Sequence, residues 1–221
     1  SLRNMISTFK SKGTGIIEDV VINHKNGLTG WRDFPYESVT GTNTAKTYTL
    51  TWDNTNYSGI CKNDECNSNG YITTGNDDTG DNFDGYRDLD HTNSTVQTNV
   101  KTYLDFLLNE LGYAGFRYDM VKGYSSYYTG IYNSASNPTY SVGEYWDSSY
   151  DNTVGWMNGT KVSGVIQSAA FDFPLKYSIN NVFNNKTWSG LVNKGIAGDN
   201  GMSRYAVTFV DNHDTYRNSG D

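Results

Sequence analysis

Residues 15–24 read GIIEDVVINH. Ile16, Ile17, Val20, Val21 and Ile22 form a nearly continuous β-branched run, as in a parallel strand buried on both faces, and the run ends on a polar Asn-His pair. The same pattern returns four times: AGFRYD at 114–119, YSVGEY at 140–145, AAFDF at 169–173 and YAVTFV at 205–210. Helical stretches lie between these runs. Val96, Val100, Tyr103, Leu104, Leu107, Leu108 and Leu111 share one helical face that stops at Gly112, and further helices are predicted near 124–132 and 175–192. Leu2, Met5, Ile6 and Phe9 predict a helix ahead of the first strand, ending by Gly13. Between GEYW and AAFDF the spacing predicts only a polar connection. Five strands separated by helices predict an α/β fold with a parallel sheet. A doubly wound sheet would alternate in the same way, but no G-x-G-x-x-G loop follows any strand. Polar residues instead recur at strand ends, as NH, RYD, GE and NHD. The expectation is an incomplete (β/α)8 TIM barrel, about strands 3 to 7, with those ends converging on one mouth.

The stretch 23–93 breaks the alternation. It is rich in Gly, Asn, Asp, Thr and Tyr and too long for an ordinary loop, so it reads as an inserted small domain after the first visible strand. The expected organisation is a partial barrel at 1–23, the insertion at 24–93 and the rest of the partial barrel at 94–221. A full barrel runs to roughly 250 residues, and this chain has 221, so a truncated larger domain is expected. A net charge of -7 with no basic stripe argues against nucleic acid. No apolar run is long enough to cross a membrane, and the opening SLRNMISTFK has neither the apolar core nor the cleavage site of a signal peptide. The 18 Tyr supply flat apolar faces with polar tips, which suit sugar rings. Cys61 and Cys66 stand too close together to choose between a disulfide and a metal site.

Three carboxylates fall where strands end: Asp119, Glu144 and Asp214. Glycoside hydrolysis needs two such groups flanking the scissile bond, about 5 to 5.5 Å apart when configuration is retained. Arg117, two residues before Asp119 on the same strand face, supplies an opposite charge that keeps a nucleophile ionised. Glu144 beside Tyr145, Trp146 and a neighbouring carboxylate has the surroundings that keep an acid protonated. A second constellation, DDTGDNFDGYRDLDH at 77–91, concentrates the oxygen donors a hard cation takes, without EF-hand spacing.

DVVINH at 19–24, GFRYDMVKG at 115–123, GEYW at 143–146 and FVDNHD at 209–214 resemble, in that order, the four signature regions of the α-amylase family of glycoside hydrolases. The second region ends in KG at Lys122 and Gly123, as in plant-type and related bacterial α-amylases, and AFDFPLK at 170–176 resembles their sixth strand. The resemblance implies a secreted, calcium-dependent enzyme that cleaves internal α-1,4 bonds of starch with retention. It implies Asp119 as nucleophile, Glu144 as general acid and base, and Asp214 as transition-state stabiliser. His24 and His213 would hydrogen-bond the sugar, Arg117 would sit beside the nucleophile, and Lys122 and Trp146 would contact the leaving side. Calcium (Ca2+) would take the Asn23 amide oxygen, the Asp78 and Asp88 carboxylates, and the carbonyls of Asp81 and Gly123. The family barrel has two strands before residue 15, and one more strand with a small β-domain after Asp214. The chain alone is therefore expected to be inactive and to self-associate through open edges, with Ile17, Phe116 and Phe171 on a poorly covered inward face. A related transglycosylase or other α-glucosidic hydrolase, and a non-catalytic barrel subunit that binds glycans, are the alternatives. The three carboxylates weigh against the last.

Overall fold

The computed structural model describes residues 1–29, 31–191 and 194–215. Ser1 caps the first helix, α1 (Leu2–Ser11), which leads into β1 (Ile17–Val20). The stretch that follows contains β2 (His24–Lys25), β3 (Glu37–Thr40), β4 (Thr47–Leu50), α2 (Glu65–Ser68) and β5 (Arg87–Asp88). Asn93 then caps α3 (Ser94–Asp105) by accepting from the Thr95 and Val96 N–H groups. This helix runs into a wider turn, Phe106–Leu111, which ends with the Gly112 N–H reaching back to the Leu107 carbonyl at 3.1 Å. From there strand and helix alternate: β6 (Gly115–Tyr118), α4 (Ser126–Ser136), β7 (Tyr140–Gly143), α5 (Tyr150–Gly159), β8 (Ala169–Phe171), α6 (Phe173–Asn185) and β9 (Ala206–Val207).

β1, β6, β7, β8 and β9 form one parallel sheet in that order. A doubly wound sheet reverses its strand order at a switch point, whereas here each strand is added beside the last, as around a barrel wall. Alternation along the strands sorts the side chains. Ile17, Asp19, Arg117, Glu144 and Phe171 line a common cavity on the inner face. Phe116 and Tyr118 lie on the outer face among the helices, and both are fully buried. Phe116 is thus not on the inner face expected from the sequence. A strand reverses its side-chain direction at every residue, so Phe116 must oppose Arg117. Burying such a ring stabilises by about 1.5–3 kcal/mol.

Two other expectations change. The polar connection after GEYW contains α5, which Ser149 caps and which buries Trp156 and Met157 on one face. Its apolar residues are too sparse for a clear period. The helix expected near 175–192 starts two residues earlier and stops at Asn185, where Lys186 turns left-handed. Its expected end, Val192, lies outside the described residues.

Within 24–93, β2 pairs with β5 and β3 with β4, both antiparallel. Polar clasps tie this stretch to the barrel. Glu110, fully buried after α3, accepts from the N–H groups of Thr42, Asn43 and Thr44 at 2.8, 3.2 and 3.0 Å, and pairs with Arg3 of α1 at 2.7 Å. Inside the stretch itself, buried Arg87 pairs with Asp64 and Glu65. His91 bonds the Ile22 carbonyl through Nε2 at 2.9 Å and the Tyr132 hydroxyl through Nδ1 at 2.7 Å. Burial lowers its pKa to about 4, so the ring is neutral. Cys61 and Cys66 are both free and buried. Burial pushes the Cys66 thiol up to about 12.

Candidate active site

Parallel pairing sets Asp19 level with Arg117, and Arg117 level with Val142, so the ends of β1, β6 and β7 arrive at one place. The Arg117 guanidinium is the centre of that place. Its Nη1 donates to Asp19 and to Asp119, each at 2.6 Å, and its Nη2 pairs with Glu144 at 2.6 Å. One planar fork therefore joins Asp119 to Glu144. The residue between the two strand ends, Met120, adopts a left-handed conformation with φ 42 and ψ 51. From it the Met120 N–H donates to Glu144 Oε2 at 3.3 Å.

Glu144 is buried, and burial raises its pKa. Arg117 and the Met120 N–H oppose the shift, while the charges of Asp119 and Asp214 add to it. Asp214 is held in a turn in which the Asn212 side chain accepts from its N–H at 3.1 Å, and His213 Nε2 lies 3.2 Å from its carboxylate. A cavity of about 250 Å³ opens over Arg117 and Glu144, lined also by Phe171, Phe209, Asp211 and His213. A larger apolar groove of about 520 Å³ lies between the β3–β4 hairpin and α3, where Glu37 is the lone carboxylate in its lining. Two carboxyl groups around one cation, one of them raised by burial, can serve as acid and nucleophile; a groove with a single carboxylate cannot.

His24 is half-buried. Burial lowers its pKa and the nearby Asp119 charge opposes that shift, so the ring is neutral at pH 7. Asn23 Nδ2 lies 3.3 Å from His24 Nδ1, which leaves Nε2 to carry the proton. Lys122 Nζ sits 3.6 Å from Asp81 and 3.7 Å from Asp147, bridging the inserted stretch and the loop after β7. Trp146 stacks on Phe173 with centroids 4.9 Å apart, and its Nε1 donates to the Tyr177 hydroxyl at 2.8 Å, so it braces α6.

The expected cation ligands also meet. Asn23 Nδ2 donates to Asp88 Oδ1 at 3.2 Å, and the Asp81 N–H bonds the Lys122 carbonyl at 2.9 Å. A Cβ on Gly123 would collide with Asn23 Oδ1, and one on Gly80 with the backbone of Lys122 and Gly123, so two glycines permit this approach. Among the described residues, no group of three or more His, Cys, Asp or Glu is placed to hold a metal by itself. The donors present are instead two carboxylates, an amide and carbonyls. Two of their buried oxygens, Asn23 Oδ1 and Asp78 Oδ2, have no hydrogen-bond partner. Burial pushes Asp78 up to about 6 and Asp88 up to about 7, and neighbouring carboxylates add to both shifts. Orphaned oxygens and crowded negative charge fit a hard divalent cation.

Asp19 and Met120 are site residues that sequence reasoning missed. Asp19 had a readable signal, being one of two acids, with Glu18, in a run otherwise β-branched. The Met120 conformation had none.

Arg117→Met is expected to destabilise the fold by about 2–3 kcal/mol, because it leaves buried Glu144 without its counter-charge, while the more exposed Asp19 and Asp119 are rescued by solvent. Arg117→Lys should recover part of this. Denaturant titration checks it, and a loss below about 1 kcal/mol would contradict the central role of the fork.

A family model for the α-amylase catalytic domain matches residues 1–134. Over 231 residues the chain is 32% identical to probable alpha-amylase 2 of Arabidopsis thaliana, covering 97% of this chain and 51% of that protein. It is 29% identical to the chloroplastic alpha-amylase 3 of the same plant, covering 99% of this chain and 25% of that one. The chain thus spans about half the length of the first relative and a quarter of the second. Among solved structures, an alpha-amylase from Malbranchea cinnamomea superposes with a TM-score of 0.60 at 19% identity, over 96% of this chain and 42% of that one. At that identity the likeness shows the fold, a partial TIM barrel.

Proposed function

The chain belongs to the α-amylase catalytic-domain family of glycoside hydrolases, and from that premise we propose that it is the central part of a retaining enzyme hydrolysing internal α-1,4 bonds of starch. The observation that carries the reading is the Arg117 fork, with Asp119 and Glu144 on its adjoining nitrogens. That arrangement favours the short carboxylate separation of retaining enzymes over the wider spacing that leaves room for a water. Asp119, paired with Arg117, attacks the anomeric carbon while Glu144 gives its proton to the departing glycosidic oxygen. Glu144 then takes a proton from water, which attacks the same carbon and releases Asp119, so two inversions give retention. Asp214 supports the developing positive charge, and His24 and His213 hold the sugar hydroxyls. Lys122 and Trp146 flank the leaving side.

Residues 24–93 act in this reading as an inserted domain, which Asn23, Asp78 and Asp88, with the carbonyls of Asp81 and Gly123, would bind to the barrel through calcium. The ion supplies charge neutralisation there and takes no part in bond cleavage. Secretion follows from the family resemblance, and among the described residues no helix is long and apolar enough to cross a membrane. Flanking barrel strands and a β-domain of a longer parent chain complete the enzyme.

The test is to digest a maltooligosaccharide with the full-length enzyme and follow the anomers by NMR as they form. The α-anomer should appear first; initial release of the β-anomer would overturn the assignment. Free glucan chains longer than the substrate would point to transglycosylation. Because burial and two neighbouring carboxylates raise Glu144, the basic limb of kcat/KM should lie above the ordinary carboxylate range. A basic limb at or below that range would remove Glu144 from the acid role.

A further inference from the structure

β7 ends beside Glu144 and β9 leads toward Asp214, but β8 stands between them in the sheet. Each pairs with β8, and among the described residues neither is hydrogen-bonded to the other. The Arg117 fork takes in Asp19, Asp119 and Glu144 and leaves Asp214 out. β9 itself stops at Val207, well short of Asp214.

An aromatic ring spans the gap. Phe173 opens α6 directly after β8 and is fully buried. Trp146, two residues beyond Glu144, stacks on it with centroids 4.9 Å apart and planes 30° from parallel. Phe209, on the segment leading to Asp214, meets it edge-on, also at 4.9 Å, with planes at 80°. Phe209 in turn lines the cavity over Glu144, beside Phe171 at 5.6 Å. One side chain thus touches the segments that carry both carboxyl groups.

The backbone under this ring is anchored. Asp172, just before it, is fully buried, and its N–H donates to the Val207 carbonyl at 2.9 Å. Its carboxylate accepts from the N–H groups of Leu175, Ile196 and Ala197 at 3.0, 3.1 and 2.8 Å. The start of α6 is therefore tied at once to β9, to its own first turn and to the stretch at 196–197.

We propose that Phe173 is a positioning residue, the spacer that sets how far Asp214 stands from Glu144. The proposal rests on the glucan-hydrolase reading above, and adds to it a residue that touches neither substrate nor reacting atoms. Stacked and edge-on contacts each favour a particular placement of the rings, so two rings packed on a third share one reference. A leucine fills much of the same space but has no plane, and the segments beside it lose that reference. Asp214 acts on charge that develops during the reaction, so its misplacement costs kcat more than KM. The groups around Glu144 are Arg117 and Asp119 from β6, Asp19 through the same guanidinium, the Met120 N–H, and Asp211, His213 and Asp214 after β9. Loosening Phe173 leaves those on β1 and β6 in place and lets the last three recede. The charge of Asp214 then raises Glu144 less.

The experiment compares wild type, Phe173→Leu, Asp214→Asn and the double variant in the full-length enzyme. It reads kcat and KM on maltoheptaose, Tm, and the Glu144 pKa by NMR of the labelled carboxyl. Phe173→Leu should lower kcat roughly ten- to hundredfold with KM within about twofold of wild type, and should lower the Glu144 pKa. In the Asp214→Asn background the same substitution should change kcat by less than about threefold and leave the Glu144 pKa where it is. Val182→Ala, at a buried position farther along α6, controls for destabilisation: it should lower Tm and leave kcat and the Glu144 pKa unchanged. Phe209→Leu loosens the same contact from its half-buried end and should also lower the Glu144 pKa, which keeps the question open to test should Phe173→Leu not fold. A folded Phe173→Leu with wild-type kcat, an equal loss with and without Asp214→Asn, or the same loss in Val182→Ala would each overturn the spacer. Wild type that cleaves maltoheptaose while Phe173→Leu changes nothing refutes the spacer alone. Wild type that cleaves none, but whose Glu144 pKa falls with Phe173→Leu and does not fall further in the double variant, supports the spacer and refutes the hydrolase reading. Wild type that cleaves none and whose Glu144 pKa ignores both Phe173→Leu and Phe209→Leu refutes both.

Discussion

Asp119→Asn in the full-length enzyme is expected to lower kcat on maltoheptaose by on the order of 10⁴-fold, with KM far less affected. Asparagine keeps the shape of aspartate and can still accept from Arg117, so the fork and the binding surface survive. What it cannot do is attack the anomeric carbon. Glu144→Gln should fall by roughly 10²–10⁴-fold for a different reason, the loss of a proton donor. The two variants separate on a substrate with an activated aryl leaving group, which departs without protonation. Glu144→Gln should recover formation of the glycosyl-enzyme there, and Asp119→Asn should not. Since the charge of Asp119 raises Glu144, its removal should also lower the Glu144 pKa, readable by NMR of the labelled carboxyl. An Asp119→Asn enzyme within about tenfold of wild type would remove this residue as nucleophile.

The second large effect concerns the cation. Stripping the enzyme with a chelator should lower its Tm, because an ion that binds the folded form stabilises it by mass action. Asp88→Ala should reproduce most of that loss and make the chelator nearly inert. The pH dependence follows from the metal-free carboxylates. Folded Asp78 and Asp88 are raised to about 6 and about 7 from an ordinary 3.8, with burial the main cause. Between the unfolded and folded values the native state holds more protons, so metal-free stability falls as pH rises from about 4 to about 7. The summed effect is on the order of a few kcal/mol, discounted for the partial exposure of Asp78. Bound calcium would offset both the cost of burying the charged carboxylates and their mutual repulsion. The Tm gap between calcium-loaded and stripped enzyme should therefore be wide at pH 8 and narrow at pH 5. A gap that is constant across that range would count against Asp78 and Asp88 as ligands, and no gap at any pH would count against the ion.

The barrel strands were legible because a strand buried on both faces leaves little choice but β-branched and small residues, and because polar residues on such a strand have reason to sit at its mouth. Arg117 and Asp119 share a face by simple alternation, so their pairing could be read as well. Phe116 opposes Arg117 by the same alternation, and a strand buried on both faces offers a large apolar side chain two interiors, the barrel and the helix layer, of which it fills the second. α5 escaped because its buried side is short, Trp156 and Met157 with Thr153, and its remaining residues resemble a loop. Within 24–93 the structure is made by buried polar contacts between distant residues, Glu110 with 42–44 and Arg87 with 64–65, and no local period announces these.

Glu110 behaves unlike Asp78, Asp88 and Glu144. Burial would raise it, but the N–H groups of Asn43, Thr44 and Thr42 outweigh burial and hold its carboxyl down to about 2. A depressed folded value means that its stabilising contribution is complete above the ordinary 4.5 and vanishes only as the pH falls through about 2. The joint between the β3–β4 turn and the end of α3 is therefore insulated from acidity over the range in which Asp78, Asp88 and Glu144 change charge. Acidification can discharge the cation ligands and reset the catalytic acid while this hinge pin keeps its charge. The edge near Gly123 therefore answers to pH, and the Glu110 attachment at the far side of the insertion does not.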